Sequence, residues 1–186
     1  MIKLKDILLE NTAPDIFVPR RMEDRVERMV VTYIRNGSKG YLNLRQMNLN
    51  KLPDILKNVN VGGPFNCSVN NLTSLENAPK SVDGDFYSSA NQLTSLVGAP
   101  KTVGGDFYCS YNLLTSLEGA PETVSGDFYC SNNKLTSLAG VPKYVGGIFV
   151  CNDNPGNFTE EQVRALCDVK GEVVALPKKL PRLKKI

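Results

Sequence analysis

The sequence predicts a solenoid in which short coils of chain stack on one another and place parallel strands along one side. The tetrapeptide Leu-Thr-Ser-Leu recurs every 21 residues, beginning at Leu72, Leu93, Leu114 and Leu135. Phenylalanine recurs at the same spacing, at Phe65, Phe86, Phe107, Phe128 and Phe149. A valine four residues before each Phe and an asparagine five residues after it keep the same period. Such a fixed period indicates units that bury their apolar sides only by stacking.

Residues 1–40 are predicted to hold a leader followed by a helix that caps the first coil. Apolar side chains recur at helical spacing from Met22 to Ile34, and Asn36-Gly37 is a typical helix stop. The arginines on the other side of this helix alternate with acidic residues, so we expect a solvated surface rather than an anion site.

Residues 41–157 are predicted to form six repeat units, of which the first and last are atypical. The first unit, from Leu42, keeps the apolar pattern but lacks the asparagine, and the last loses its leucines after Pro155. Proline and glycine recur between the units and disfavour a helix there. We therefore expect extended or turn-like chain on the side opposite the strands.

Four kinds of column are expected to point inward: the Phe, Val and Leu columns and a column of small residues. The last consists of Cys67, Ser88, Cys109, Cys130 and Cys151. Metal or redox chemistry is an alternative for the cysteines, but no C-x-x-C occurs, so we interpret them as small buried apolar residues. The recurring asparagine is expected to satisfy backbone groups where each strand ends, rather than to bind a ligand.

Three further columns must face away from the core because side chains alternate along a strand. We call their surface the strand face; it comprises Asp85, Asp106 and Asp127, Tyr87, Tyr108 and Tyr129, and Ser89, Ser110 and Ser131, with Ser68 preceding the serines and Tyr111 adding a further ring. Stacked aspartates repel one another. They are explained either by bonds from the Gly-rich turn just before each Asp or by attraction of a cationic partner. Tyrosine suits a binding surface, although duplication of a good strand former explains its recurrence equally well.

Residues 158–186 are predicted to form a second capping helix and a basic tail. Thr159 with Gln162 makes a capping box, and Phe158 with Val163 a hydrophobic staple. The last eleven residues hold five cations and no acid, whereas residues 41–175 hold nine cations and thirteen acids. The tail lacks aromatic residues, so we expect no specific nucleic-acid binding.

Composition argues against catalysis. The chain has no histidine, which excludes Ser-His-Asp and Cys-His nucleophiles and histidine zinc sites. We expect no enzyme, no cofactor and no metal. No apolar run is long enough to cross a bilayer, and the short apolar patch in residues 1–10 has no small-residue cleavage site after it, so neither a membrane span nor a secretory signal is expected.

The unit Phe107-x-Cys109-x-x-Asn112-x-Leu114-x-x-Leu117 resembles the leucine-rich repeat family, and four consecutive units match this pattern. The layout is also similar to small leucine-rich repeat proteins of large, T-even-like tailed phages, through Ala13-Pro-Asp-Ile-Phe-Val-Pro-Arg-Arg21 and Asn36-Gly-Ser-Lys-Gly40. The resemblance implies a strand face that binds a protein of the host or of the phage, in the cytoplasm of the infected bacterium.

Two other functions stay open. Residues 1–10 end in Leu8-Leu9-Glu10 and are similar to the cleavable leader of proteins packaged in the heads of T-even phages, which implies a virion component. A carboxylate hydrolase would use Asp85 and Asp127, at roughly 9–10 Å across alternate strands, as an inverting pair. Equivalent carboxylates lack the unequal environments that separate an acid from a base, so we do not expect this activity.

Overall fold

The computed structural model describes residues 22–175. The leader, including Leu8-Leu9-Glu10 and Ala13–Arg21, and the basic tail from Lys178 lie outside the described residues. No helix of the described part is long and apolar enough to cross a membrane.

Helix α1 spans Met22–Arg35, and Gly37 follows it with φ of +82°, as the Asn-Gly stop predicts. Val26, Val30 and Tyr33 are buried in the common hydrophobic core. Helix α1 packs against a 3-10 helix at Asp54–Asn58, which holds extra residues of the longer first coil.

Within the described residues, thirteen two-residue strands form two parallel sheets. The first sheet holds seven strands in spatial order: β1 (Leu42–Asn43), β3 (Phe65–Asn66), β5 (Phe86–Tyr87), β7 (Phe107–Tyr108), β9 (Phe128–Tyr129), β11 (Phe149–Val150) and β13 (Val173–Val174). The second holds six: β2 (Asn60–Val61), β4 (Ser81–Val82), β6 (Thr102–Val103), β8 (Thr123–Val124), β10 (Tyr144–Val145) and β12 (Asp168–Val169). The chain is therefore a parallel β-solenoid, as the period predicts.

The register places equivalent residues of successive coils side by side, so each repeat position is a column. Phe86 pairs with Phe107, and Phe107 with Phe128. The five repeated phenylalanines are fully buried, and their rings lie 5.1–5.4 Å apart. Each such side chain contributes about 1.5–3 kcal/mol by leaving water, and stacking alone makes that burial available.

Extended chain was expected on the side opposite the strands, and the structure shows that this chain forms a second sheet. Its valines, such as Val103 and Val124, are the column four residues before each Phe and are fully buried. The predicted extended segments thus pair between coils, and both sheets contribute to one core.

The parallel ladders extend beyond residue 157. Helix α2 spans Glu160–Arg164 and begins with the predicted capping box between Thr159 and Gln162. The chain then adds one strand to each sheet, β12 and β13, and so forms a further coil after the helix.

Candidate functional site

A stack of three tyrosines forms the centre of the strand face. Tyr87, Tyr108 and Tyr129 occupy equivalent positions on β5, β7 and β9. Successive ring centroids lie 4.7 Å apart, with interplanar angles of 8° and 3°. The stack ends where Asn66 pairs beside Tyr87 and Val150 beside Tyr129. Both faces of the Tyr108 ring are therefore covered, and its edge and hydroxyl point outward.

Each hydroxyl of this stack is held by the aspartate two residues earlier. The Tyr87 hydroxyl donates to Oδ2 of Asp85 at 2.8 Å, and the same 2.8 Å bond joins Tyr108 to Asp106 and Tyr129 to Asp127. Residues i and i+2 share a face of a strand, so the sequence Asp-Phe-Tyr places the two groups together. We call this array of three Tyr–Asp pairs the Tyr–Asp ladder.

The other carboxylate oxygen bonds to the backbone of the next coil. Oδ1 of Asp85 accepts from the N–H of Asp106 at 2.9 Å, Oδ1 of Asp106 from that of Asp127 at 2.7 Å, and Oδ1 of Asp127 from that of Ile148 at 2.7 Å. The structural explanation of the aspartates is thereby supported, with one correction. The donor belongs to the following coil, and no described bond comes from the Gly-rich turn just before each Asp.

Glycine in the following coil makes this bond possible. A Cβ at Gly105 would overlap Oδ1 of Asp85, and a Cβ at Gly126 would overlap Oδ1 of Asp106. The carboxylate thus occupies the space that a side chain would fill. The glycine and the aspartate recur together because each coil supplies a glycine for the previous coil's carboxylate.

The tyrosines of the ladder resist ionisation. Burial and the bond to Asp85 raise the pKa of Tyr87 to about 12, and for Tyr129 the bond to Asp127 and then burial give about 12. Burial, followed by the bond to Asp106, also raises the pKa of Tyr108. A phenolate beside a carboxylate would repel it, so the phenols keep their protons well above neutral pH.

The predicted serines differ in accessibility. Ser89 and Ser110 are half-buried on the strand face. Ser131 is only 8% exposed, and its hydroxyl donates to Oδ1 of Asn152 in the next coil. Ser68 is buried as well, at 4%, and its hydroxyl donates to Oδ1 of Asn66. The serine column thus offers surface mainly at its centre.

Tyr111 stands apart from the tyrosine stack. It lies at the turn after β7 with φ of +58° and is 64% exposed. Leu113, two residues later, is 45% exposed. The sequence pattern singled out Tyr111 but missed Leu113, because alternation no longer predicts side-chain direction after a left-handed turn. Each of them exposes apolar surface in the chain that follows β7.

The asparagine column has the structural role expected of it. Oδ1 of Asn112 accepts from the N–H of Leu93 at 3.0 Å, and its amide donates to the carbonyls of Ser88 and Cys109 at 3.1 and 3.0 Å. Equivalent bonds recur at Asn91, Asn133 and Asn154. Each of these four repeats thereby ties its own strand end to the previous coil, and the buried amides serve the backbone.

The cysteine column is buried, as predicted. Cys67, Cys109 and Cys130 are fully buried free thiols, and the burial raises the pKa of each. The thiols of Cys67 and Cys109 lie 3.4 and 3.3 Å from the carbonyls of Tyr87 and Tyr129. Neutral, inaccessible thiols pack as small apolar groups. Within residues 22–175, no three side chains of His, Cys, Asp or Glu converge as metal ligands.

A separate groove of about 1000 Å³ lies between α1 and the 3-10 helix. Val31, Ile34 and Ile55 contribute apolar lining, and Glu27 and Lys57 are among its charged residues. The sequence signal for this groove is the longer spacing of the first coil, 23 residues from Leu42 to Phe65.

No protein-family model matches the chain, and a search of curated proteins finds no significant match. The function must therefore be argued from the geometry of the strand face.

Proposed function

We propose that the chain is a leucine-rich repeat scaffold that binds a protein partner through the strand face and has no catalytic role. The observation that carries this proposal is the preorganisation of the Tyr–Asp ladder. Its rings are fixed by stacking, its hydroxyls by carboxylates and its carboxylates by backbone. Binding to such a surface requires little further ordering of side chains, which is a main cost of association.

Assignment to the leucine-rich repeats rests on three features of the coils. Leucines such as Leu114 and Leu117 are buried, each regular coil has 21 residues, and an asparagine bonds to the end of five successive strands of the first sheet. We also infer that the helices cap the solenoid. Buried Val26 and Val30 on α1 and Val163 on α2 support this role, because terminal repeats need a cover over the core.

We infer a phage origin and a partner from the host or the phage, met in the cytoplasm of the infected bacterium. The support is the resemblance of residues 13–40 and of the repeats to short-repeat phage proteins. A virion-associated protein with a leader ending at Glu10 is the alternative. Mass spectrometry of purified particles separates the two, since a packaged protein must be found there, with a new terminus at Asn11 if the leader is cut.

A hydrolase is a poorer account of the same carboxylates. The three aspartates have the same pair of partners, a backbone N–H and a phenol. An inverting mechanism needs one protonated and one ionised carboxyl in different environments. The repeating bonds favour a structural and recognition role instead.

Partner capture from infected-cell lysate tests the scaffold. The test variant replaces Tyr87, Tyr108 and Tyr129 by Ser; the control replaces Lys101, Glu122 and Lys143, which form exposed ion pairs elsewhere, by Ser. We expect the control and the wild type to retain the same proteins and the tyrosine variant to lose them. If both variants keep the fold by circular dichroism and recover identical proteins, the strand face is not the binding surface.

A further inference from the structure

The hydrogen bonds of the Tyr–Asp ladder give the strand face a definite polarity. A phenol has one proton, and the protons of Tyr87, Tyr108 and Tyr129 are donated to carboxylates. Each phenol oxygen therefore presents only lone pairs to a partner. An ionised carboxylate accepts but does not donate. The ladder thus offers a partner acceptors along its whole length and no donor of its own.

The strand face is also negatively charged, which favours the same kind of partner as its hydrogen-bond acceptors do. The ladder carries the three carboxylates of its aspartates. Among the described residues of the three outward columns, Arg45 in the first coil is the sole cation, and its guanidinium bonds to the Ser68 hydroxyl at 3.1 Å. Opposite charge on a partner would relieve the repulsion between stacked aspartates and steer its approach. Phosphate would be repelled, which disfavours nucleic acid.

The stacking of the tyrosine rings determines which atoms of the ladder can bind a cation. Cation–π attraction needs access to a ring face, but the faces of Tyr108 are covered at 4.7 Å by its neighbours. At Tyr108, in the centre of the ladder, a cation therefore binds through oxygen lone pairs rather than through a ring face. Guanidinium and ammonium groups satisfy such acceptors with charge-assisted hydrogen bonds. Exposed Tyr111 and Leu113, in the chain that follows β7 and its Tyr108, supply contact area for an apolar side chain.

We propose that the strand face docks a lysine- and arginine-bearing segment of a protein partner. Its cationic groups donate to the phenol and carboxylate oxygens of the Tyr–Asp ladder, and an apolar side chain of the segment packs on Tyr111 and Leu113. This inference rests on the proposed function and specifies the chemistry of the partner.

The test uses the full chain and a short fluorescein-labelled peptide of arginine and glycine with one leucine; its twin carries glutamate for arginine. The test variant is D85N/D106N/D127N. Each asparagine keeps an oxygen for the next coil's N–H, while its amide can donate to the phenol and release that proton outward. The control, E76Q/E118Q/E161Q, changes three exposed acids elsewhere and alters net charge by the same amount.

Fluorescence anisotropy should show binding of the arginine peptide but not of its twin, weakening as salt is raised. We expect about tenfold weaker binding by the Asn variant and less than about twofold by the Gln control. The single variant D106N, at the centre of the ladder, should lose about threefold if the triple variant does not fold. Equal weakening by both triple variants, or no binding of the arginine peptide at low salt, overturns the inference.

The two proposals fail differently. A partner that is lost with the tyrosine variant but retained by D85N/D106N/D127N overturns the cationic segment and leaves the scaffold standing. Peptide binding that depends on the aspartates, with no tyrosine-dependent partner in lysate, supports the cation preference and contradicts the proposed function.

Discussion

Removing one asparagine from the inner column should destabilise the chain far more than removing an exposed one. In Asn112→Ala, the buried N–H of Leu93 loses its acceptor, which costs about 1–3 kcal/mol. The carbonyls of Ser88 and Cys109 each keep another amide, from Asn91 and Asn133 respectively. The two donated bonds therefore add only about 0.5–1.5 kcal/mol each, and we expect a total of about 2–6 kcal/mol.

The control is Asn71→Ala, which removes an amide that donates to Asn48 Oδ1 at the exposed surface. Its cost should lie within about 0.5 kcal/mol. Urea unfolding followed by far-UV circular dichroism measures both free energies of unfolding. A cost for Asn112→Ala below about 1 kcal/mol, or equal to that of the control, would refute the claim that the column ties the coils together.

Three further predictions concern the turns and the ladder. Gly119→Ala should lower the free energy of unfolding in urea by about 3 kcal/mol or more, because the φ of Gly119 is +85° and a Cβ would overlap the previous coil's backbone. The control Gly40→Ala, with φ of +78° and open space around the Cβ, should lower it by only about 1 kcal/mol. Equal losses would contradict the close approach of the coils at Gly119. The pKa of Tyr87 and Tyr129, about 12 against an ordinary 10.0, is higher in the folded than in the unfolded chain, so the stability they contribute is complete below pH 10 and declines toward pH 12. Absorbance of phenolate at high pH should show a late step that moves to lower pH in D85N/D106N/D127N, because burial still raises the pKa but the carboxylates no longer do. Tyr111→Asn should raise the melting temperature by relieving a left-handed backbone, with a gain of about 1 kcal/mol, and a loss of stability would show that the exposed ring packs.

Much of the fold follows from the period alone. Once the coils are 21 residues long, Phe107 and Phe128 must be neighbours, and the inward columns and the role of Asn112 follow from that. The sequence did not predict that the extended segments pair into a second sheet. Segments such as Thr102–Val103 lie between a proline and a glycine and are too short to give a strand signal. They pair only because the first sheet has already aligned the coils.

The site was predictable where its contacts are local. The pair Asp106 and Tyr108 is fixed by the two-residue alternation of one strand. The bond from the N–H of Asp127 to Asp106 joins residues 21 positions apart. Looking for hydrogen-bond partners in the adjacent turn does not find this bond, because many of the contacts of a residue in a solenoid are with the coils before and after its own.

One departure from the repeat, Tyr111, adds to what the Tyr–Asp ladder indicates about function. Stacking of Tyr108 on its neighbours stabilises the solenoid by about 0.5–1.5 kcal/mol per pair, so duplication for stability is enough to explain the tyrosine column. Tyr111 lies outside that stack, at a left-handed position that recurs in the neighbouring coils at Val69, Ala90, Asn132 and Asp153, and asparagine tolerates this conformation better than tyrosine does. Tyr111 differs from these equivalent residues in its large ring, which is 64% exposed. Tyr111→Asn should therefore separate the two roles, raising stability while weakening partner capture.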